Sequence, residues 1–193
     1  MTTPHSTRQV RMVLRLGVVI LAAGLSLPTP AQDASPSSAL EELLGVWESG
    51  EVESLGRLFE DDAVYVDMPN DRRLSGLEAI KGYVSHVHSW ASEIRVEIRS
   101  VREGPSFAVA EWTMEGTQDR PIRGLIPIAT GQSFSISGTT LIDVRNGLIS
   151  RAVDYIQVTP LMLQLGGRIE LPGGVVLGGE PDELPGRKTS SEE

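Results

Sequence analysis

The chain has 193 residues, 17 of them basic and 26 acidic, for a formal net charge of −9, and it contains no cysteine. The acidic balance argues against phosphate-built partners, nucleic acid and anionic membrane surfaces alike, and the missing thiols exclude disulfides, thiolate nucleophiles and cysteine metal sites. With 40% hydrophobic residues, the length suffices for one domain with a proper core.

Arg8, Arg11 and Arg15 precede an apolar run over residues 16–27, and Thr29-Pro30-Ala31 follows with small residues. A basic segment, an apolar run and a small-residue site make residues 1–31 a secretory signal peptide, so the expected product is exported, periplasmic or secreted. The run is shorter than the ~20 apolar residues of a membrane span, and no membrane contact is expected after cleavage. Cleavage removes three basic residues and no acidic one, leaving a mature net charge of −12. Residues 32–38 read as a polar linker.

Ser38-Ala39-Leu40-Glu41 has the form of a capping box, predicting a helix from Ser38 to Ser49 that buries Leu40, Leu43, Leu44 and Trp47 and stops at Gly50. Leu55, Leu58 and Phe59 mark a second short helix. Residues 61–69, DDAVYVDMP, read as a strand with Val64 and Val66 on one face and Tyr65 and Asp67 on the other. Ser75-Gly76-Leu77-Glu78 predicts a third helix, to about Ala91, whose buried stripe is Leu77, Ile80, Val84, Val87 and Ala91. His86 and His88 on that helix point roughly 200° apart, so a shared metal is not expected.

From Ile94 the apolar period becomes two. Residues 107–118, FAVAEWTMEGTQ, predict a long strand whose even positions, including Trp112, Met114 and Gln118, face a cavity, while Glu111, Thr113, Glu115 and Thr117 stay wet. Residues 119–130 form a loop with Pro121, Gly124 and Pro127, placed to wrap the open end. A penultimate strand over 132–144 leads to Asn146-Gly147, the strongest two-residue hairpin signal in the chain. The strand that follows, to Val158, carries Asp154 in its middle. A carboxylate there is exposed, paired or kept for chemistry. Residues 169–193 are rich in Pro, Gly and charge and read as a tail, disordered from 181 onward, with the LPGG and LGGE segments as linker.

Pro127, Thr130-Gly131, Asn146-Gly147, Asp154-Tyr155 and Leu161-x-x-Gln164-Leu165-Gly166 together resemble the C-terminal half of SnoaL-like polyketide cyclases and ester-cyclase-type proteins, of the nuclear transport factor 2-like superfamily. The resemblance implies an α+β fold over residues 39–168, in which a conical, curved, mixed or antiparallel sheet packs on three N-terminal helices. It also implies a homodimer, no cofactor, and a pocket for a small apolar or carbonyl-containing ligand. The DDA-x-x-x-D-x-P stretch is similar to the start of ketosteroid isomerases, which places Asp67 where those enzymes keep their proton-abstracting Asp. Their oxyanion Tyr position is Leu43 here. Gln118 stands where the family often has a pocket His, and Gln157 where it has a second acid.

Asp67 and Asp154 are therefore the candidate acid–base residues, with Tyr65, Trp112, Met114, Gln118, Tyr155 and Gln157 as candidate ligand contacts. Positions 154 and 157 have opposite parity, and both faces of their strand are apolar enough that the pattern does not decide which one looks inward. Two functions remain: cofactor-free acid–base cyclisation or isomerisation of a small carbonyl compound, and a non-catalytic ligand-binding or dimer-scaffold module.

Overall fold

The computed structural model describes residues 35–178; the expected signal peptide and most of the expected tail lie outside the described residues. Helix α1 spans Pro36–Ser49, with its cap three residues before the predicted one. The N-cap is Ser35, whose hydroxyl accepts from the Ser38 amide, and Pro36 follows where its missing N–H costs nothing. Gly50, at φ 75°, closes the helix by donating to the Val46 carbonyl. Its buried face includes Leu40, Leu43, Leu44 and Trp47, as the spacing predicts.

A single 3₁₀ segment, Val52–Arg57, stands where the second helix was expected, and strand β1 begins at once as Phe59–Asp67. A short 3₁₀ turn, Met68–Asn70, leads into edge strand β2, Arg72–Ser75, and then α2, Leu77–Trp90. No side chain caps α2: Gly76 occupies the cap at φ 87°, so the second capping box does not form. Three long strands and a shorter one complete the sheet: β3 (Ala91–Gly104), β4 (Phe107–Gln118), β5 (Ser133–Arg145) and β6 (Leu148–Ile156). The order is β2-β1-β6-β5-β4-β3, antiparallel throughout except for the parallel pair β1 and β6.

The α1–α2 layer covers one face of this sheet, and the even positions of β4 point into it, with Ala108, Ala110, Trp112 and Met114 buried. Register shifts between Ser92 and Arg95, Ile98 and Ser100, and Asp143 and Val144 are the bulges that let the sheet curve around its contents. Two glycines admit bulk from the next strand. Gly138 lies opposite Trp112, and a Cβ there would overlap the indole; a Cβ on Gly116 would meet Phe134. The free edge is managed by carboxylates from or toward α1: Glu48 accepts from the Val96 amide, and Glu103 accepts from the Ser37 amide at the positive end of the helix. That contact holds the Glu103 carboxyl below its ordinary pKa.

Helix α3, Val158–Gln164, follows β6 and buries Leu161. The chain then forms a two-stranded hairpin, β7 (Arg168–Glu170) with β8 (Val176–Gly178), where linker was expected. The LPGG glycines Gly173 and Gly174, both at positive φ, make its turn.

Candidate active site

Asp67 ends β1 and Asp154 sits in the last third of β6, and parallel pairing sets them directly opposite each other. Both are buried, 1% and 4% exposed, and neither forms an ion pair among the described residues. Their parity matches Tyr65 and Ala152 on the inner face, so Asp154, not Gln157, looks inward.

Asp154 is held from both sides by hydroxyls. Thr140 Oγ1 donates to its Oδ1 at 2.6 Å, and the Tyr65 hydroxyl donates to its Oδ2. Each hydroxyl in turn accepts from an indole: Trp112 Nε1 reaches Thr140 Oγ1 at 2.8 Å, and Trp47 Nε1 reaches the Tyr65 hydroxyl at 3.1 Å. An indole N–H can only donate, so each hydroxyl is left with its proton directed at the carboxylate. The two relays thus suit Asp154 as an acceptor on both oxygens. Burial works the other way and dominates: it pushes the Asp154 pKa up to about 6, against the lowering donations from Thr140 and Tyr65, with a further push from the charge of Asp67. Burial and the neighbouring carboxylate likewise raise the Tyr65 phenol well above its ordinary range, so it remains a donor.

Asp67 accepts at Oδ2 from the Tyr83 hydroxyl (2.7 Å) and from Asn70 Nδ2 (2.8 Å), while its Oδ1 is buried with no partner among the described residues. Burial and the bond to Asp67 raise the Tyr83 phenol above its usual pKa. Trp47, Tyr65 and Tyr83 pack edge to face, with centroids 5.5 Å apart for Trp47 and Tyr83 and 5.8 Å for Tyr65 and Tyr83.

A cavity of about 60 Å³ opens beside Asp154, walled by Trp47, Tyr83, Trp90, Trp112, Met114 and Phe134 and closed by Leu161 of α3. Of the sequence-predicted residues, the structure brings Asp154, Trp112 and Met114 to this cavity, with Tyr65 and Asp67 one layer behind. The other three lie elsewhere. Gln118 is buried but spends its whole amide on the following loop, donating to the Arg120 and Ile128 carbonyls and accepting from the Thr130 amide and hydroxyl. Tyr155 is 54% exposed on the opposite face. Gln157 sits past the end of β6, exposed, and its side chain accepts from the Ser137 amide. With Gln164, which brackets Ser135, it satisfies β5 where the partner strand has run out.

Thr140, Tyr83 and Asn70 were not singled out from sequence as site residues, and Trp47 was assigned to core. Thr140 could have been found, since it is a polar residue in phase with Phe134, Ile136 and Ile142 on an inward face. Tyr83 likewise stands three residues after Ile80 and four before Val87, on the buried side of α2. His86 and His88 join no metal-binding group, and none exists among the described residues.

A curved mixed sheet wrapped on helices, with a buried carboxylate facing its interior, defines the ketosteroid isomerase-like, nuclear transport factor 2-like fold. The chain belongs to the SnoaL-like domain family, whose model matches residues 40–152. Solved structures agree on the fold. TsrD from Streptomyces laurentii superposes with a TM-score of 0.59 at 22% identity, covering 67% of this chain and 93% of that one. A hypothetical protein of ketosteroid isomerase-like fold from Catenulispora acidiphila, in complex with trimethylamine, gives 0.58 at 22% identity over 69% and 95%. A candidate SnoaL-like polyketide cyclase from Shewanella putrefaciens gives 0.60 at 15% identity over 67% and 95%. Comparison with curated proteins returns no match.

Proposed function

We propose that this chain is an exported SnoaL-like domain in which Asp154 moves protons, without a cofactor, on a small carbonyl compound held in the cavity. The observation that carries the reading is Asp154 itself: a buried carboxyl on the cavity wall, oriented by two hydroxyls and poised near pH 6. At neutral pH it is mostly ionised and able to take a proton from a carbon next to a carbonyl. Tyr83 supplies the complementary contact. It lines the cavity, and burial and its bond to Asp67 keep its phenol protonated, so its hydroxyl, anchored by Asp67, can turn to donate to the carbonyl oxygen as the enolate forms. Asp154 then returns its proton to a different carbon in an isomerisation, or to the alkoxide formed when the enolate carbon attacks a second carbonyl in a ring closure.

The test is hydrogen–deuterium exchange at the α-carbon of small ketones in D₂O. The wild-type chain accelerates it, and Asp154→Asn lowers the rate by about 10²-fold or more. Equal rates for the two remove Asp154 from the chemistry.

The second reading is a ligand-binding module without turnover. The observation favouring it is the size of the cavity: at ~10–15 Å³ per water-sized group, it takes roughly four to six heavy atoms. A homodimer built on the outer sheet face belongs to either reading, and light scattering that gives a monomer at tens of micromolar excludes it.

A further inference from the structure

The lining of the cavity is unusually selective in its chemistry. The chain contains nine aromatic residues, and five of them, Trp47, Tyr83, Trp90, Trp112 and Phe134, wall this one small space, including all three tryptophans. The sole charged side chain on the wall is Asp154; no basic residue lines it. Aromatic faces carry negative potential, and a desolvated cation among several rings and a carboxylate is attracted by both. A neutral ligand lacks that attraction of charge. Tyr83 already shows the preference, since the exposed Arg72 guanidinium lies over its ring, 5.5 Å from the centroid. The space, roughly four to six heavy atoms, suits a compact tetrahedral group rather than a fused ring system.

We infer that the cavity binds a small alkylammonium cation, seated among Trp47, Tyr83, Trp90, Trp112 and Phe134 with its charge opposed by Asp154. The inference rests on the reading of this cavity as a small-molecule site with an ionised Asp154, and it adds a ligand class that occupies the site in place of the carbonyl compound. A quaternary alkylammonium group carries no N–H that needs an acceptor: its charge is spread over methyl groups that contact rings. That matches a wall whose one charged group is a carboxylate with both oxygens already held by Thr140 and Tyr65, and whose Tyr83 hydroxyl already donates to Asp67.

The three tryptophans make the test direct, because their fluorescence reports occupancy. The probes are tetramethylammonium chloride and tert-butyl alcohol, a neutral molecule of the same shape and heavy-atom count, with sodium chloride matched for ionic strength. Saturable quenching by tetramethylammonium at a concentration at least tenfold below that needed for tert-butyl alcohol is the expected result. Asp154→Asn should erase most of that difference. Trp90→Leu, which keeps apolar contact and loses a ring, should weaken tetramethylammonium more than tert-butyl alcohol, and it serves should the Asp154 variant not fold. Equal or tighter binding of the alcohol, or an effect reproduced by sodium chloride, overturns the inference. The acid–base reading stands or falls separately on the exchange assay: cation selectivity with no exchange leaves a binding site, and exchange without cation selectivity leaves an enzyme for neutral carbonyls.

Discussion

Asp67 and Asp154 face each other across the parallel pair of β1 and β6, each accepting a phenolic proton, from Tyr83 and Tyr65 respectively. The charge of Asp67 adds to the desolvation that raises Asp154. This relationship gives the site its chemistry and sets its cost to the fold.

The cost is measurable as a pH dependence. The Asp154 carboxyl titrates at its ordinary value of 3.8 in the unfolded chain and at about 6 when folded, so between these pH values the native state holds more proton. Stability therefore declines as pH rises through that window, by on the order of 3 kcal/mol. Carboxyls held low in the fold, such as Glu103 and Asp119, act in the opposite direction. Urea denaturation from pH 4 to 7 of the wild type and Asp154→Asn isolates the effect: the wild type loses ground to the variant as pH rises.

Thr140→Val removes a donor from Asp154 and strands the Trp112 indole. The Asp154 midpoint should rise and the protein should lose ~1–3 kcal/mol. Thr140→Ser, which keeps the hydroxyl, should restore the midpoint.

Gln118→Ala should destabilise by roughly 2–4 kcal/mol, since the Thr130 amide and the Ile128 and Arg120 carbonyls lose their side-chain partner together. Limited trypsin digestion should then cut faster after Arg123, in the loop that Gln118 ties down. Unchanged cleavage shows that the loop is held by other contacts.

Gly138→Ala puts a methyl into the Trp112 ring. The expected penalty is ~1–3 kcal/mol, with a shift in tryptophan emission as the indole is displaced from the cavity wall.

Much of this site is legible in the sequence. Period-two alternation placed Tyr65 with Asp67 and Trp112 with Met114 on inward faces, and the Asn146-Gly147 turn forms with both residues at positive φ. What failed did so for local reasons. Ser38 resembles a cap, but Ser35 precedes a proline that starts helices well, so the helix begins there. Ile149 has the parity opposite to Asp154, yet it is buried, because the bulge at Asp143 and Val144 breaks the alternation. Gln118 and Gln157 look like ligand contacts by position, and nothing in their neighbourhood reveals that backbone groups of a loop and of a strand end claim them first. Likewise the hydrogen bonds that orient Asp154 come from residues 14 and 89 positions away, a pairing that only the sheet register creates.

The central claim is that Asp154 is a carboxyl poised for proton transfer, and carbon-detected NMR titration of its side chain reads this directly. A midpoint near 6, moving up in Thr140→Val, is the predicted result. A midpoint near 3.8 would mean that the group is ordinary in spite of its burial, and would contradict the account.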